Sequence, residues 1–401
     1  MISADVLRAL SISSNLEYGS QSCAALHRKM ILNTCAGCAA PLENKWFRCG
    51  ICKTRYCGQT CQKLHWKKGG HKALCPQIKS GGGAEQYHAD KKYKEAVAVA
   101  VKKCAADTKG QTCYICTEAL HWKTKEGLVR GCSCRGTAGF AHVSCLAEQA
   151  KILVAEAEEN NLGAKALEKI FARWNTCGLC KQQHHGVVFC ALGWACWKTY
   201  VGRPEKALAR RGAMTQLGGG LYDANRYEDA LSVMEAELSM RRRLGEPEEI
   251  TLKSQSNLAA AYANLGRLEP ALRLRRETYL GLSRLYGEES EDTLTGAVNY
   301  SLSLTDLRRF EEAKSLLRKS IPVARRVLGE SHMVTLNLRW YYADALYKDP
   351  AATPDDIREA LTMLEETARI ARRVFGTAHP TTIGIEHDLR VFRANAPPPR
   401  A

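Results

Sequence analysis

From about residue 211 to residue 395 the apolar positions recur every three or four residues, the period of an amphipathic helix, and this pattern itself repeats. The segments "YEDALSVMEAEL", "LEPALRLRRETYL" and "FEEAKSLLRKSI" place Ala230, Ala271 and Ala313 at steps of 41 and 42 residues, and "IREALTMLEETA" places Ala360 a further 47 on. The extra residues fall in "KDPAATPDD", where Pro350 and Pro354 mark a longer loop. A second set of helices alternates with the first, opening on Thr251-Leu252, Thr293-Leu294 and Thr335-Leu336. A small alanine lets two helix axes approach, while Leu258, Tyr262 and Leu265 fill the groove beside it. A single pair of this kind cannot bury its apolar face, so the pairs must stack, and the pattern predicts an α-solenoid.

The first half follows another logic. Its cysteines crowd into two zones, 31–78 and 111–188, separated by "KSGGGAEQ", which reads as a flexible joint, and by a helical stretch over Tyr93–Ala106. Residues 1–30, with Val6, Leu7 and Leu10, form a lead-in with helical potential. Residues 189–210 read as a connecting helix, 211–395 as the repeats and 396–401 as a tail. With 401 residues, 45% of them hydrophobic, the chain is long enough for two or three units with separate cores. The most apolar stretch, Gly186 to Trp197, is too short to cross a bilayer. The N-terminus carries Asp5 and no basic run before an apolar core, so no secretory signal is expected. A reducing compartment, cytoplasmic or nuclear, follows.

Eighteen cysteines, none in the last half of the chain, point to metal rather than disulfides. In the first zone the order is Cys35-x2-Cys38, Cys49-x2-Cys52, Cys57-x3-Cys61, His71-x3-Cys75. In the second it is Cys113-x2-Cys116, Cys132-x-Cys134, His142-x2-Cys145, Cys177-x2-Cys180. Eight ligands per zone make two tetrahedral sites each, so four zinc ions per chain are expected. Thiolates with an occasional imidazole suit zinc, and four protein ligands leave no open position for catalysis. The first zone, of about 45 residues, is too small to hold itself by burial, so metal binding supplies its folding energy. The formal charge of +16 falls to about +10 once zinc-bound thiolates and their ions are counted. That weakens the argument for nucleic acid and leaves a mild preference for acidic partners.

"RYCGQTCQKLHWKKGGHKALC" resembles the MYND zinc finger in Tyr56-Cys57, Cys61-Gln62, Trp66 and His71-x3-Cys75. The resemblance implies interleaved sites, with Cys35, Cys38, Cys57 and Cys61 on one ion and Cys49, Cys52, His71 and Cys75 on the other. His65 competes with His71 but lies farther from Cys75. It also implies protein recruitment.

The order of ligands in the second zone is shared by RING variants and PHD fingers. One residue between Cys132 and Cys134, then seven to His142, makes "CSCRGTAGFAHVSCL" resemble the RING-CH type of MARCH-like ubiquitin ligases, with Gly136 and Cys145-Leu146 as further matches. The gap from Cys145 to Cys177 is longer than usual and holds a helical insert with Ile152, Leu153, Leu162, Leu167 and Ile170. The family's tryptophan after Cys-Leu is replaced by "AEQA", while Trp174 resembles the PHD tryptophan. The resemblance implies that Cys113, Cys116, His142 and Cys145 share one zinc and Cys132, Cys134, Cys177 and Cys180 the other. It further implies a ubiquitin ligase that acts by positioning a loaded conjugating enzyme, without a covalent intermediate. Ile115 would contact that enzyme and Lys181 would bridge it to ubiquitin; the competing readings are a small-core isoleucine and a solvated lysine.

"NLAAAYANLGRLEPAL" resembles the tetratricopeptide family in its kinesin light chain form, through Leu258, Ala259, Tyr262, Leu265-Gly266 and Ala271, and implies binding of protein or peptide ligands. Asn257 and Asn299 read as surface asparagines before groove ligands. Cys23, Cys104, Cys190 and Cys196 fall outside both metal patterns; Cys190 and Cys196 read as buried, and a catalytic cysteine has only the nearness of His184 and His185 in its favour.

The expected fold is mainly α: two small zinc-stabilised cross-brace fingers followed by an α-solenoid of tetratricopeptide-like helix pairs. The leading expectation is a RING-CH-type ubiquitin ligase with MYND and tetratricopeptide recruitment modules. A non-catalytic scaffold is the alternative, and a PHD-like chromatin reader ranks third.

Overall fold

The computed structural model describes residues 35–38, 42, 46–377 and 379–395. The lead-in over 1–30, with Val6, Leu7, Leu10 and Cys23, and the tail over 396–401 lie outside them. The described chain divides into two compact units, with the boundary between Gly245 and Glu246.

In the first unit the strands β1 (Phe47–Arg48) and β2 (Arg55–Tyr56) pair antiparallel, with Phe47 opposite Tyr56. Helices α1 (Gln59–Lys67), α2 (His71–Ser80) and α3 (Ala84–Cys104) follow. The glycine run between α2 and α3 is a tight corner and not a flexible joint. Gly82 and Gly83 take φ of 83° and 97°, a conformation that suits residues without a Cβ. The Gly83 amide donates to Ile78 O at 2.9 Å and the Ala84 amide to Cys52 O at 3.1 Å. Glu85 then holds Arg55 at 2.5 Å and Arg210 at 3.2 Å. Helix α3 therefore starts well before Tyr93. It buries the stripe Ala89, Tyr93, Ala96, Val97, Ala100 and Cys104, spaced at helical intervals.

The second cysteine zone leads into α4 (Val143–Glu159), α5 (Ala164–Phe171), a 3-10 turn (Ala172–Trp174) and α6 (Gly186–Tyr200), then α7 (Leu208–Asp223) and α8 (Tyr227–Arg243). The insert is helical, as its periodicity predicts, although Ile152 and Leu162 stay exposed while Leu167 is buried. Helix α6 is the hydrophobic centre of this unit and more than a connection. It is apolar on every side, with Cys190 to Trp197 buried without a break, and packs against α3, α4 and α7. Its approach to α7 depends on two glycines. A Cβ on Gly193 would lie 2.8 Å from Gln216 O, and one on Gly220 would lie 2.7 Å from Phe189 O.

The second unit consists of α9 (Glu248–Asn264), α10 (Leu268–Tyr286), α11 (Glu291–Asp306), α12 (Phe310–Leu328), α13 (Met333–Lys348), α14 (Pro354–Phe375) and α15 (Pro380–Asn395), each packed on the next. The repeated positions do what their chemistry predicts. Ala271, Ala313 and Ala360 are completely buried, as is Ala230 in α8, and Leu252, Leu294 and Leu336 of the Thr-Leu pairs lie in the core. Leu258 is buried and Tyr262 and Leu265 are half-buried beside it, while Asn257 and Asn299 are half-buried on helix flanks. The longer loop ends in a capping box, with Thr353 and Asp356 exchanging side-chain to backbone bonds and Pro354 in the first helical turn. No described helix is long and apolar enough to cross a membrane.

Candidate metal centres

The first unit brings sixteen cysteines and histidines into four groups of four, with the ligand atoms of each group within 4.8 Å of one another. The groups are Cys35, Cys38, Cys57 and Cys61; Cys49, Cys52, His71 and Cys75; Cys113, Cys116, His142 and Cys145; and Cys132, Cys134, Cys177 and Cys180. Each finger is thus a cross-brace, in which the first and third ligand pairs meet separately from the second and fourth.

Local structure sets up each corner. In three of the two-residue knuckles a backbone amide points at the leading thiol: Gly37 to Cys35 at 3.3 Å, Ile115 to Cys113 at 3.4 Å and Leu179 to Cys177 at 3.4 Å. Three knuckles close through a residue with positive φ, Lys53, Thr117 or Lys181, whose amide bonds back to Cys49, Cys113 or Cys177. His142 caps α4 and sits directly beside thiols of its group: its Nδ1 lies 3.3 Å from Cys116 Sγ and 3.6 Å from Cys145 Sγ. Its Nε2 faces Ala119 O at 3.4 Å, which fixes the ring. His71 presents Nε2 at 3.4 Å from Cys52 Sγ. The competing His65 shares a hydrogen bond of 3.1 Å with Tyr56 Oη and lies with its ring tilted against that of His71, outside the group.

The donors fit zinc on distance and on charge. A tetrahedron with Zn–S bonds of about 2.3 Å has edges of about 3.8 Å. The thiols Cys38–Cys57, Cys57–Cys61, Cys49–Cys75 and Cys134–Cys177 lie 3.6, 3.5, 3.8 and 3.8 Å apart. Burial opposes ionisation of Cys35, but the amides of Cys57, Gly37 and Cys38 outweigh it and bring the thiol to about 7. The neighbouring thiols of Cys57 and Cys38 push Cys61 up to about 12. Burial likewise opposes ionisation of Cys180, yet the Gln182 amide and the facing thiols carry it to about 7, while burial and its neighbours drive Cys132 upward. In each of these two groups one thiol ionises readily while another resists, as expected for a cluster that needs a cation to complete its ionisation. Burial holds His71 and His142 below the ordinary histidine value, in the neutral form that a metal requires.

Two residues of the second finger carry weight that their spacing alone does not reveal. Gly139 has φ of 86°, and a Cβ there would lie 2.6 Å from Cys134 Cβ and 3.2 Å from Cys132 Sγ. Leu179 stands in its knuckle where Ile115 stands in the other, and it is 48% exposed whereas Ile115 is half-buried. A clue to Leu179 was present in the matched Cys-x-x-Cys spacing; Gly139 had none beyond its nearness to Cys134. The Lys181 ammonium donates to Gly178 O at 2.7 Å, and Lys53 does the same to Gly50 O at 3.1 Å. That placement belongs to the knuckle in both fingers.

Trp174 is fully buried and meets Tyr200 of α6 edge to face, so it anchors the insert to the core. Cys190 and Cys196 are buried as expected; burial pushes the Cys190 thiol to about 11 and that of Cys196 well above the ordinary value. Cys104 is also buried.

Two cross-brace metal fingers ahead of stacked helix pairs define a zinc-finger repeat protein. More particularly, the chain carries a MYND finger, a RING-variant domain and tetratricopeptide repeats: the family models of these names match residues 33–75, residues 113–161, and residues 251–292, 293–332 and 355–381. No curated protein matches the chain. Solved structures similar to it include kinesin light chain TPR-like repeats from Podosopora anserina, 18% identical, with 58% of this chain and 97% of that one covered and a TM-score of 0.39. BtubC (BKLC) from P. vanneervenii is 14% identical, with 65% of this chain and 95% of that one covered and a TM-score of 0.36.

Proposed function

We propose that the chain is a RING-type ubiquitin ligase in which the MYND finger and the repeats recruit proteins. In this reading the sixteen grouped cysteines and histidines hold four zinc ions. Those ions supply fixed cross-links and no bond chemistry, because every group already provides four protein ligands. Catalysis then rests on surfaces that the fingers hold in place. The observation that carries the reading is the cross-brace of the second finger, whose first three ligand pairs fall in the RING-variant match over residues 113–161 and whose last pair, Cys177 and Cys180, follows it; the brace presents Ile115 and Leu179 at equivalent knuckle positions. These two side chains would seat the conjugating enzyme, restricting its ubiquitin thioester to reactive conformations. Lys181 would turn from Gly178 O to ubiquitin only after that complex forms.

Autoubiquitination with a panel of conjugating enzymes tests this. Wild-type protein is expected to be active with at least one enzyme, and both Ile115→Ala and Leu179→Ala to lose most of that activity while keeping four zinc ions. Zinc-loaded wild-type protein inactive with the whole panel would leave the non-catalytic scaffold as the better reading.

A further inference from the structure

The first finger and the helix after it have an unbalanced surface. Between residues 46 and 80 the chain has eight lysines and arginines and no aspartate or glutamate. The finger's seven zinc-bound thiolates, five of them in this stretch, set against two divalent ions leave it net positive. The next acids, Glu85, Asp90 and Glu95, are all engaged: Glu85 with Arg55 and Arg210, Asp90 with Lys198, Glu95 with Lys92. Lys63, Lys67, Lys68, Lys72 and Lys79 are exposed, and none has a carboxylate partner among the described residues. The second unit treats its cations differently, pairing Lys314 with Asp349, Arg339 with Glu366 and Arg372 with Glu386.

Apolar side chains stand among these lysines. Leu64 is 52% exposed on α1 beside Lys63 and Lys67, and Leu74 is 42% exposed on α2 between Lys72 and Lys79. Lys63 and Lys67 lie one turn apart and point away from Cys61 and His65, which face the inside of the finger. Both short helices thus offer the same mixture of ammonium groups with no carboxylate partner among the described residues and an exposed leucine.

We propose that the outer face of α1 and α2 docks an acidic segment of a protein partner in which carboxylates alternate with apolar side chains. Charge complementarity selects the acids, and Leu64 and Leu74 select a polypeptide over a nucleic acid backbone. Single leucines separated by lysines do not form the continuous apolar face that an interfacial membrane helix requires. The proposal deepens the recruitment role given above to the MYND finger, and it does not depend on ligase activity.

The test uses the full-length, zinc-loaded protein and the fluorescence anisotropy of a labelled peptide of interleaved glutamate and leucine. The peptide is expected to bind with an affinity that falls as salt is raised. The triple variant Lys63→Gln/Lys67→Gln/Lys72→Gln should weaken it by about tenfold. Leu64→Ser should weaken it as well, and Arg326→Gln in the second unit should leave it unchanged. Four zinc ions per chain in each variant would show that the finger is intact. Absence of binding, insensitivity to the triple variant, or tighter binding to duplex DNA or to phosphatidylserine vesicles would overturn the proposal. Loss of ubiquitin transfer with peptide binding intact would count against the ligase reading alone.

Discussion

Two glycines of the second finger, three positions apart, provide a matched experiment. Gly136 and Gly139 both have positive φ, 60° and 86°, so alanine at either site meets the same class of backbone penalty, about 1–2 kcal/mol. Their surroundings differ. Nothing lies within 4 Å of a Cβ at Gly136, whereas one at Gly139 would sit 2.6 Å from Cys134 Cβ and 3.0 Å from its Sγ. Contacts that short force one of the two segments to move, and the atom that must give way carries a ligand. Gly136→Ala should therefore lower the melting temperature by a few degrees and retain all four zinc ions. Gly139→Ala should displace Cys134 from the group with Cys132, Cys177 and Cys180, and zinc content under mild chelator competition should fall from about four to about three per chain. Zinc by mass spectrometry, with thermal unfolding on the same samples, reads both quantities. If the two variants lose equal zinc and equal stability, the steric argument is wrong and only backbone conformation matters at these positions.

Exhaustive zinc removal should unfold the fingers, while the helices after Glu246, which have a core around Trp340 and its bond to Asp388, keep their signal in circular dichroism; loss of the whole helical signal would contradict two separate cores. The buried His184 gives a pH signature: burial, then His185 and Arg173, lowers it to about 4, so the folded chain favours the neutral ring. Its contribution is complete above the unfolded value near 6.5 and is lost as pH falls toward 4, on the order of 3 kcal/mol. Urea midpoints of wild type should fall more steeply over that range than those of His184→Gln, and parallel slopes would refute the assignment.

The features legible in the sequence were those set by local spacing. Cysteine pairs at short intervals curl around one ion whatever surrounds them, and the family resemblances implied the interleaving that the four groups show. The repeats were legible because Ala230, Ala271, Ala313 and Ala360 are each fixed by one steric demand, a helix crossing. What escaped depends on distant partners. "KSGGGAEQ" has the composition of a linker, and only the bonds of Ala84 to Cys52 and of Glu85 to Arg55 and Arg210 make it a corner. Nor does "GVVFCALGWACWKTY" reveal that α3, α4 and α7 all converge on it. The sequence also did not reveal that Lys181 bonds within its own knuckle, to Gly178 O, as Lys53 does to Gly50 O in the other finger.

The glycine contacts between α6 and α7 have a bearing on how such a protein can be taken apart or have been put together. The periodicity of the sequence suggests a seam near residue 210, yet a cut there would strip α6 of the helix against which Gly193 and Gly220 bring it. Helices α7 and α8 lie in the same compact unit as the fingers, ahead of the matched repeats that begin at residue 251. The fingers are therefore not an interchangeable cassette. A fragment meant to carry them needs to run to Gly245, and a graft onto another repeat protein would have to bring α7 and α8 along.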